Sequence, residues 1–292
     1  MTGIIDVGGG MKCAYSAGLY DFFMDNGIEF DYYLGVSAGS MNLLSYIAGE
    51  RSRNIEIYRS AAEGDEYLSI SNLVHYGAYM NYDKVRKDFY SDKGSNPFDF
   101  NSFFSSKKPF VISVTDAHTC QTVYFSKEKD MLETDRTLDI VSASCCIPLA
   151  SKPINIDGVP YFDGGVAEPI PYLKAFLDGC DKIVVVLSSP VSQKREKLIA
   201  ANLIGIALRD YDRVGEAIEQ RHIIYNYAIK KIKELEALGI AMIFSPEEIH
   251  GSGALFKNPD VVNKLYENGY RDGINRKNEL SDFLKKESKS II

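Results

Sequence analysis

The chain has 292 residues, 45% of them hydrophobic, enough to bury a full core as one large α/β domain or two smaller ones. A formal net charge of -7 argues against a nucleic-acid binder and against non-specific adhesion to anionic membrane, since both draw on a basic surface. The N-terminus shows no secretory succession and no apolar run nears the length of a membrane span, while five cysteines without C-x-x-C spacing indicate neither a disulfide framework nor a zinc site; free thiols in a cytoplasmic protein are the expectation.

Residues 4–7 (IIDV) read as a short strand, residues 8–10 as a triglycine loop, and residues 11–24 as a helix with Tyr15, Leu19, Phe22 and Phe23 at three-to-four spacing. Asn26-Gly27 stops that helix. A second strand over 32–36 and a second helix over 38–48, stopped by Gly49, follow with one residue, Ser37, between them. A right-handed crossover makes the two strands parallel neighbours, so the triglycine and Ser37 are expected at the same carboxyl edge of a sheet.

Residues 67–104 carry many aromatic, asparagine and glycine residues without a strong period and read as an irregular excursion or a set of short helices. Residues 110–114 and 182–187 are β-branched runs suited to a buried parallel sheet. Residues 153–162 alternate instead, with Asp157-Gly158 as a tight hairpin turn, and lead into Asp163-Gly164-Gly165. Helical spacing returns over 216–238, with Lys230 and Glu234 as an i,i+4 pair. The expected organisation is a catalytic core over 1–195 and a mainly helical extension over 196–292 packed on the same domain.

Gly35-Val36-Ser37-Ala38-Gly39 has the context of a nucleophile on a strand-to-helix elbow. Such a serine stands on a strained backbone, and the positions two before and two after it must lack side chains; Gly35 and Gly39 satisfy both. The triglycine invites a dinucleotide reading, but Cys13 replaces the third glycine of that fingerprint and no acidic residue ends the second strand. Its other use is an oxyanion hole, with backbone N–H groups of Gly8, Gly9, Gly10 and Met11 at a helix N-terminus facing a negative oxygen.

A serine nucleophile needs a base. Of the four histidines, His75 and His118 precede Asp163, against the serine–acid–histidine order of an α/β-hydrolase triad. His222 falls in a charged run that reads as solvated surface, and His250 lies in a glycine-rich loop. A serine–aspartate dyad is the competing scheme, with Asp163 on a rigid hairpin arm and Gly164 and Gly165 allowing close backbone approach.

Taken in order, Gly8-Gly9-Gly10-Met11-Lys12, Gly35-Val36-Ser37-Ala38-Gly39 and Asp163-Gly164-Gly165, with the intervening Ala143-Ser144-Cys145-Cys146-Ile147-Pro148 block, resemble the patatin-like phospholipase family over about residues 3 to 190. The resemblance implies a three-layer α/β fold with a mainly parallel central sheet flanked by helices. It implies Ser37 as nucleophile, Asp163 as general base and the glycine loop as oxyanion hole, with no metal or cofactor. The chain departs from the family at Val7, where an acidic residue is common, at Cys13, where a glycine is common, and at Lys12, which replaces an arginine. The implied activity is hydrolysis of carboxylic esters of lipids through an acyl-enzyme, with transient contact at a membrane surface and no nucleic-acid partner. Two rival readings are a small-ester carboxylesterase using Ser37, Asp163 and His222 or His250, and a non-catalytic lipid-binding protein. The aromatic segment from Tyr76 to Phe100 is a candidate cover for an acyl pocket or, alternatively, a segment whose rings pack on the core.

Overall fold

The computed structural model describes residues 1–64, 66–69, 71, 72, 75, 78–197, 208–248 and 253–286. Strands β1 (Thr2–Asp6), β2 (Tyr32–Val36), β3 (Phe110–Asp116), β4 (Thr122–Ser126), β5 (Ile154–Ile156), β6 (Val159–Asp163), β7 (Lys182–Val186) and β8 (Ala241–Phe244) form one sheet of eight strands. The run β3-β2-β1-β7-β8 is parallel throughout, and β4, β5 and β6 join by antiparallel pairing. The described helices are α1 (Ala14–Asp25), α2 (Ala38–Ala48), α3 (Arg53–Glu63), α4 (Tyr82–Phe89), α5 (Phe100–Ser105), α6 (Lys127–Asp130), α7 (Thr134–Ser144), α8 (Tyr172–Leu177), α9 (Asp212–Ala237), α10 (Pro259–Asn275) and α11 (Lys277–Lys285).

The two-residue period of the strands divides the core into layers. Ile4, Tyr33, Val184, Val186 and Phe244 belong to a cluster beneath α1, α2, α3 and α10, whereas Ile5, Leu34, Val185 and Ile243 pack with Tyr225, Ala228, Ile229 and Ile232 of α9. Helices therefore cover both faces, and β1 and β7 are buried along their whole length. This is the expected three-layer α/β architecture with a mostly parallel central sheet. Among the described residues, no helix is long and apolar enough to cross a membrane.

Several elements differ from the expected ones. The helix expected from residue 11 begins instead with a 3-10 turn, Gly10–Cys13, and becomes α-helical at Ala14. Gly8, Gly9 and Gly10 all have positive φ (70°, 139° and 62°), and the Met11 N–H is tied to the Ala254 carbonyl at 2.8 Å, so the first turn is wound by the loop and not by helical pairing. The excursion over 67–104 contains α4 and α5, capped by the side chains of Asn81 and Asp99. The Asp157-Gly158 hairpin has positive φ at both turn residues (54° and 85°), as the sequence suggested.

The chain beyond residue 196 contributes more than helices. Its β8 pairs with β7 to extend the parallel sheet, and α10 packs lengthwise on α1. Two glycines make that approach close: a Cβ on Gly269 would stand 1.8 Å from the Tyr15 carbonyl oxygen, and one on Gly18 would stand 2.0 Å from that of Tyr266. Tyrosine–carboxylate bonds between the same helices, Tyr15 to Asp272 and Tyr266 to Asp21, both 2.7 Å, fix their register.

Candidate active site

β2 ends at Val36 and α2 begins at Ala38, leaving Ser37 alone at φ 55° and ψ -136°. A non-glycine residue held there stores about 1–3 kcal/mol of strain. The flanking glycines are required by contact: a Cβ on Gly35 would lie 2.5 Å from Ser40 Cα, and one on Gly39 would lie 2.5 Å from the Asp6 carbonyl oxygen. The elbow is braced from behind. Ser37 N–H donates to Ser144 Oγ (2.8 Å), Ser144 donates to the Ser113 carbonyl (2.8 Å), and Ser40 Oγ donates to the Ser37 carbonyl (2.6 Å).

Strand register explains how an aspartate 126 positions away in the chain comes to the same place. β4 lines one edge of β3 from Val111 to Thr115. The opposite edge is shared: β2 takes it up to the Val36–Ser113 pair, and β6, running the other way, takes it from the Val114–Asp163 pair onward. The carboxyl ends of β2 and β6 thus meet head-on, one residue apart along β3. The Asp163 backbone is pinned by its N–H to the Cys146 carbonyl (2.9 Å) and by Thr115 Oγ1, which donates to the Asp163 carbonyl (2.9 Å).

Ser37 and the buried Asp163 carboxyl line the same cleft, and the Ser37 hydroxyl favours the ionised form of that carboxyl. Burial pushes that carboxyl above the usual carboxylate range, opposed by the Ser37 hydroxyl, the Arg221 charge and the Gly165 N–H, which donates to Asp163 Oδ1 at 2.8 Å. A carboxylate that is harder to ionise is a better proton acceptor once ionised, as a general base must be.

The triglycine lies against the elbow, with the Gly8 Cα so close that a Cβ would stand 2.7 Å from Ser37 Cβ. Of the N–H groups singled out from sequence, Gly8 donates to Asp6 Oδ1 (3.1 Å) and Met11 to the Ala254 carbonyl (2.8 Å). Those of Gly9 and Gly10 have no hydrogen-bond partner among the described residues and are the open donors of the loop. Ser188 Oγ donates to the Gly8 carbonyl (2.5 Å) and would sit 2.0 Å from a Cβ on Gly9, so the loop is held from β7's end as well.

Sequence reasoning missed Asp6. Its fully buried carboxylate accepts from Gly8 N–H and from Tyr20 Oη (3.0 Å), and burial raises it to about 6. Val7 only continues the sheet, its N–H reaching the Val186 carbonyl at 3.2 Å, and Cys13 is a buried thiol whose ionisation burial opposes.

Ser37 separates two spaces. On one side is a chamber of about 50 Å³ lined by Met11, Met41, Met80, Tyr58, Phe89 and other apolar side chains. On the other is a cleft of about 390 Å³ that holds the glycine loop, Ser37 and Asp163 with Lys12, Arg195 and Arg221. Tyr67, Met80, Val85 and Phe89 line the chamber, whereas Phe98 packs with Tyr90, Phe100 and Phe103 in the core. Tyr76 lies outside the described residues.

The charged run around residue 221 is not the solvated surface expected. Arg221 faces the cleft, where its Nε donates to the Gly165 carbonyl at 2.5 Å. Val214, Ile218, Tyr225, Ala228 and Ile232 form the inward stripe of α9, and Arg221 falls within that spacing, a signal present in the sequence. His222, its neighbour, does not line the cleft, and its Nδ1 is buried without a hydrogen-bond partner among the described residues. His250 lies outside the described residues.

Residues 211–285 match a family described as a domain of unknown function, DUF6363. The uncharacterized protein YjjU of Escherichia coli K12 is 26% identical over 185 residues, covering 63% of this chain and 50% of that protein, so the chain spans about half the length of this curated relative. The crystal structure of VipD from Legionella pneumophila overlays with a TM-score of 0.48 at 12% identity, covering 95% of this chain and 67% of that one. The patatin-like phospholipase match runs from residue 7 to 176, more than half of the chain and including the glycine loop, Ser37 and Asp163, and the protein therefore belongs to the patatin-like phospholipase family.

Proposed function

We propose that this chain is a serine hydrolase that cleaves carboxylic esters of lipids through an acyl-enzyme on Ser37, with Asp163 as its general base. The observation that carries the reading is that strand register brings a strained serine and a buried carboxyl into one cleft, with no histidine among the cleft-lining residues. Ser37 Oγ attacks the ester carbonyl carbon as its proton passes to Asp163. The negative oxygen that forms is met by the N–H groups of Gly9 and Gly10, while Gly8 and Met11 shape the loop. Collapse expels the alcohol, which takes the proton back from Asp163. Asp163 then removes a proton from water, and the hydroxide equivalent releases the acid and restores Ser37.

The apolar chamber beside Ser37 suits the acyl chain. Its three methionines are unbranched and adaptable, so a longer chain enters by repacking Met11, Met41 and Met80. Leu149, exposed on the cleft rim, offers a contact with a lipid surface. A fluorophosphonate should label wild type and spare Ser37→Ala, and Asp163→Asn should slow labelling by about 10²-fold or more. Equal labelling of wild type and Ser37→Ala refutes the nucleophile, and undiminished labelling of Asp163→Asn refutes the base.

A further inference from the structure

The chain as a whole is acidic, yet the cleft beside Ser37 is lined by three cations, Lys12, Arg195 and Arg221, against one carboxylate, Asp163. None of the three makes an ion pair within 4.0 Å among the described residues. They are held in place by other means. Arg221 spends its Nε on the Gly165 carbonyl (2.5 Å), which leaves the outer edge of the guanidinium available. Arg195 stacks on Tyr225, its guanidinium carbon 3.6 Å from the ring centroid. Its backbone is clamped in both directions by Asn226, which accepts from Arg195 N–H (2.9 Å) and donates to the Arg195 carbonyl (2.8 Å).

Three cations against the single carboxylate of Asp163 leave like charges that repel, and the repulsion registers on both neighbours of Arg195. Burial and the Arg195 charge lower Lys12, and the same two causes lower Arg221 to about 10. Such a cluster is at its most stable when an anion occupies its centre. The polar side chains of Ser188, Ser189 and Gln193 on the same wall add hydrogen-bonding groups.

We propose that Arg195 and Arg221, with Lys12, form a subsite for a phosphate group, the phosphodiester or phosphomonoester of a phospholipid whose ester carbonyl sits at Ser37. The proposal rests on the hydrolase reading and deepens it: the apolar chamber takes the acyl chain and the cationic cleft takes the headgroup. Both arginines lie beyond the residues 7–176 that carry the family match, and Arg221 belongs to the 211–285 region of unknown function. That region is thereby assigned the reading of the substrate's charge, delivered to the active site by the inward stripe of α9.

Arg195 is the informative position, because Arg221 also acts on Asp163. The test compares kcat/KM for short-chain diacylglycerol phosphate and for diacylglycerol of the same acyl length, in wild type, Arg195→Gln and Arg195→Lys. The ratio of phosphate-bearing to neutral ester is expected to fall about tenfold in Arg195→Gln and to recover in part in Arg195→Lys. An unchanged ratio, or equal loss on both substrates, overturns the subsite. Calorimetry on Ser37→Ala separates this outcome from failure of the hydrolase reading, since it needs no turnover. There the short-chain diacylglycerol phosphate should bind, and the double variant Ser37→Ala/Arg195→Gln should bind it about tenfold more weakly. If inorganic phosphate alone binds Ser37→Ala as tightly as the lipid phosphate does, the site belongs to free phosphate and the headgroup assignment is overturned. Both esters left uncleaved by wild type, with the calorimetric difference intact, remove the hydrolase reading and keep the anion site.

Discussion

Asp6 offers a sharp quantitative test because it is an ionisable group kept inside the core to hold a loop. Its carboxylate accepts from Gly8 N–H and Tyr20 Oη, yet burial raises it from the ordinary 3.8 to about 6. At about 1.4 kcal/mol per pH unit, that rise makes the ionised form cost the fold about 3 kcal/mol. The sign follows from proton binding. Below pH 3.8 the acid is neutral in both folded and unfolded chains and there is no penalty. Between 3.8 and about 6 the folded chain holds the proton more tightly, so stability falls as pH rises, and above 6 the penalty is complete. Asp6→Asn keeps an oxygen to accept from Gly8, and its amide N–H donates to Tyr20 Oη, so the hydrogen bonds survive while the charge is lost. Urea unfolding at several pH values should show the difference between variant and wild type moving in the variant's favour by about 3 kcal/mol from pH 3.5 to pH 8. Titration of Asp163 is common to both proteins and cancels. A difference that does not change with pH refutes the account of Asp6 as a charged brace of the glycine loop.

Other consequences follow from the packing and the site. Gly269→Ala gains about 1 kcal/mol of helix propensity but places a methyl 1.8 Å from the Tyr15 carbonyl, so α10 must part from α1 and thermal unfolding should show a net loss of about 1–3 kcal/mol; unchanged or raised stability contradicts the close approach. Since Asp163 must be ionised to accept a proton and burial raises it, kcat/KM should fall with decreasing pH through a value above 3.8. Arg221→Gln withdraws a charge that favours the carboxylate, so this acid limb should move to higher pH, and a limb that stays in place or moves lower counts against the pairing. Met80→Ala should enlarge the chamber and raise kcat/KM for octanoyl relative to butanoyl esters; a profile that ignores the substitution removes the chamber as the acyl site.

The parts of the site that were readable in the sequence are those fixed within a few residues. The elbow needs Gly35 because its contact, Ser40, is brought in by the strand-to-helix turn itself, and the Asp157-Gly158 hairpin likewise encodes the arm that carries Asp163. What was not readable depends on distant chain segments. The meeting of β2 and β6 on one edge of β3 arises from register, which no local motif carries. Asp6 looked like part of a short apolar strand until Gly39 and Gly8 were seen to pack on it. The charged neighbours of Arg221 point to surface, although its place in the stripe from Val214 to Ile232 points inward. The helix over 259–275 drew no attention, since Gly269 and Gly273 weaken a helical pattern for the very reason that they permit α10 to lie against α1.

The account stands or falls on where the acyl group goes. Wild type mixed with an activated short-chain ester, quenched in acid and analysed by intact mass and peptide mapping, should carry one acyl group on the peptide containing Ser37. Ser37→Ala should carry none and should lose turnover. An adduct on another residue, or ester turnover that persists in Ser37→Ala, contradicts the assignment of Ser37 as the nucleophile.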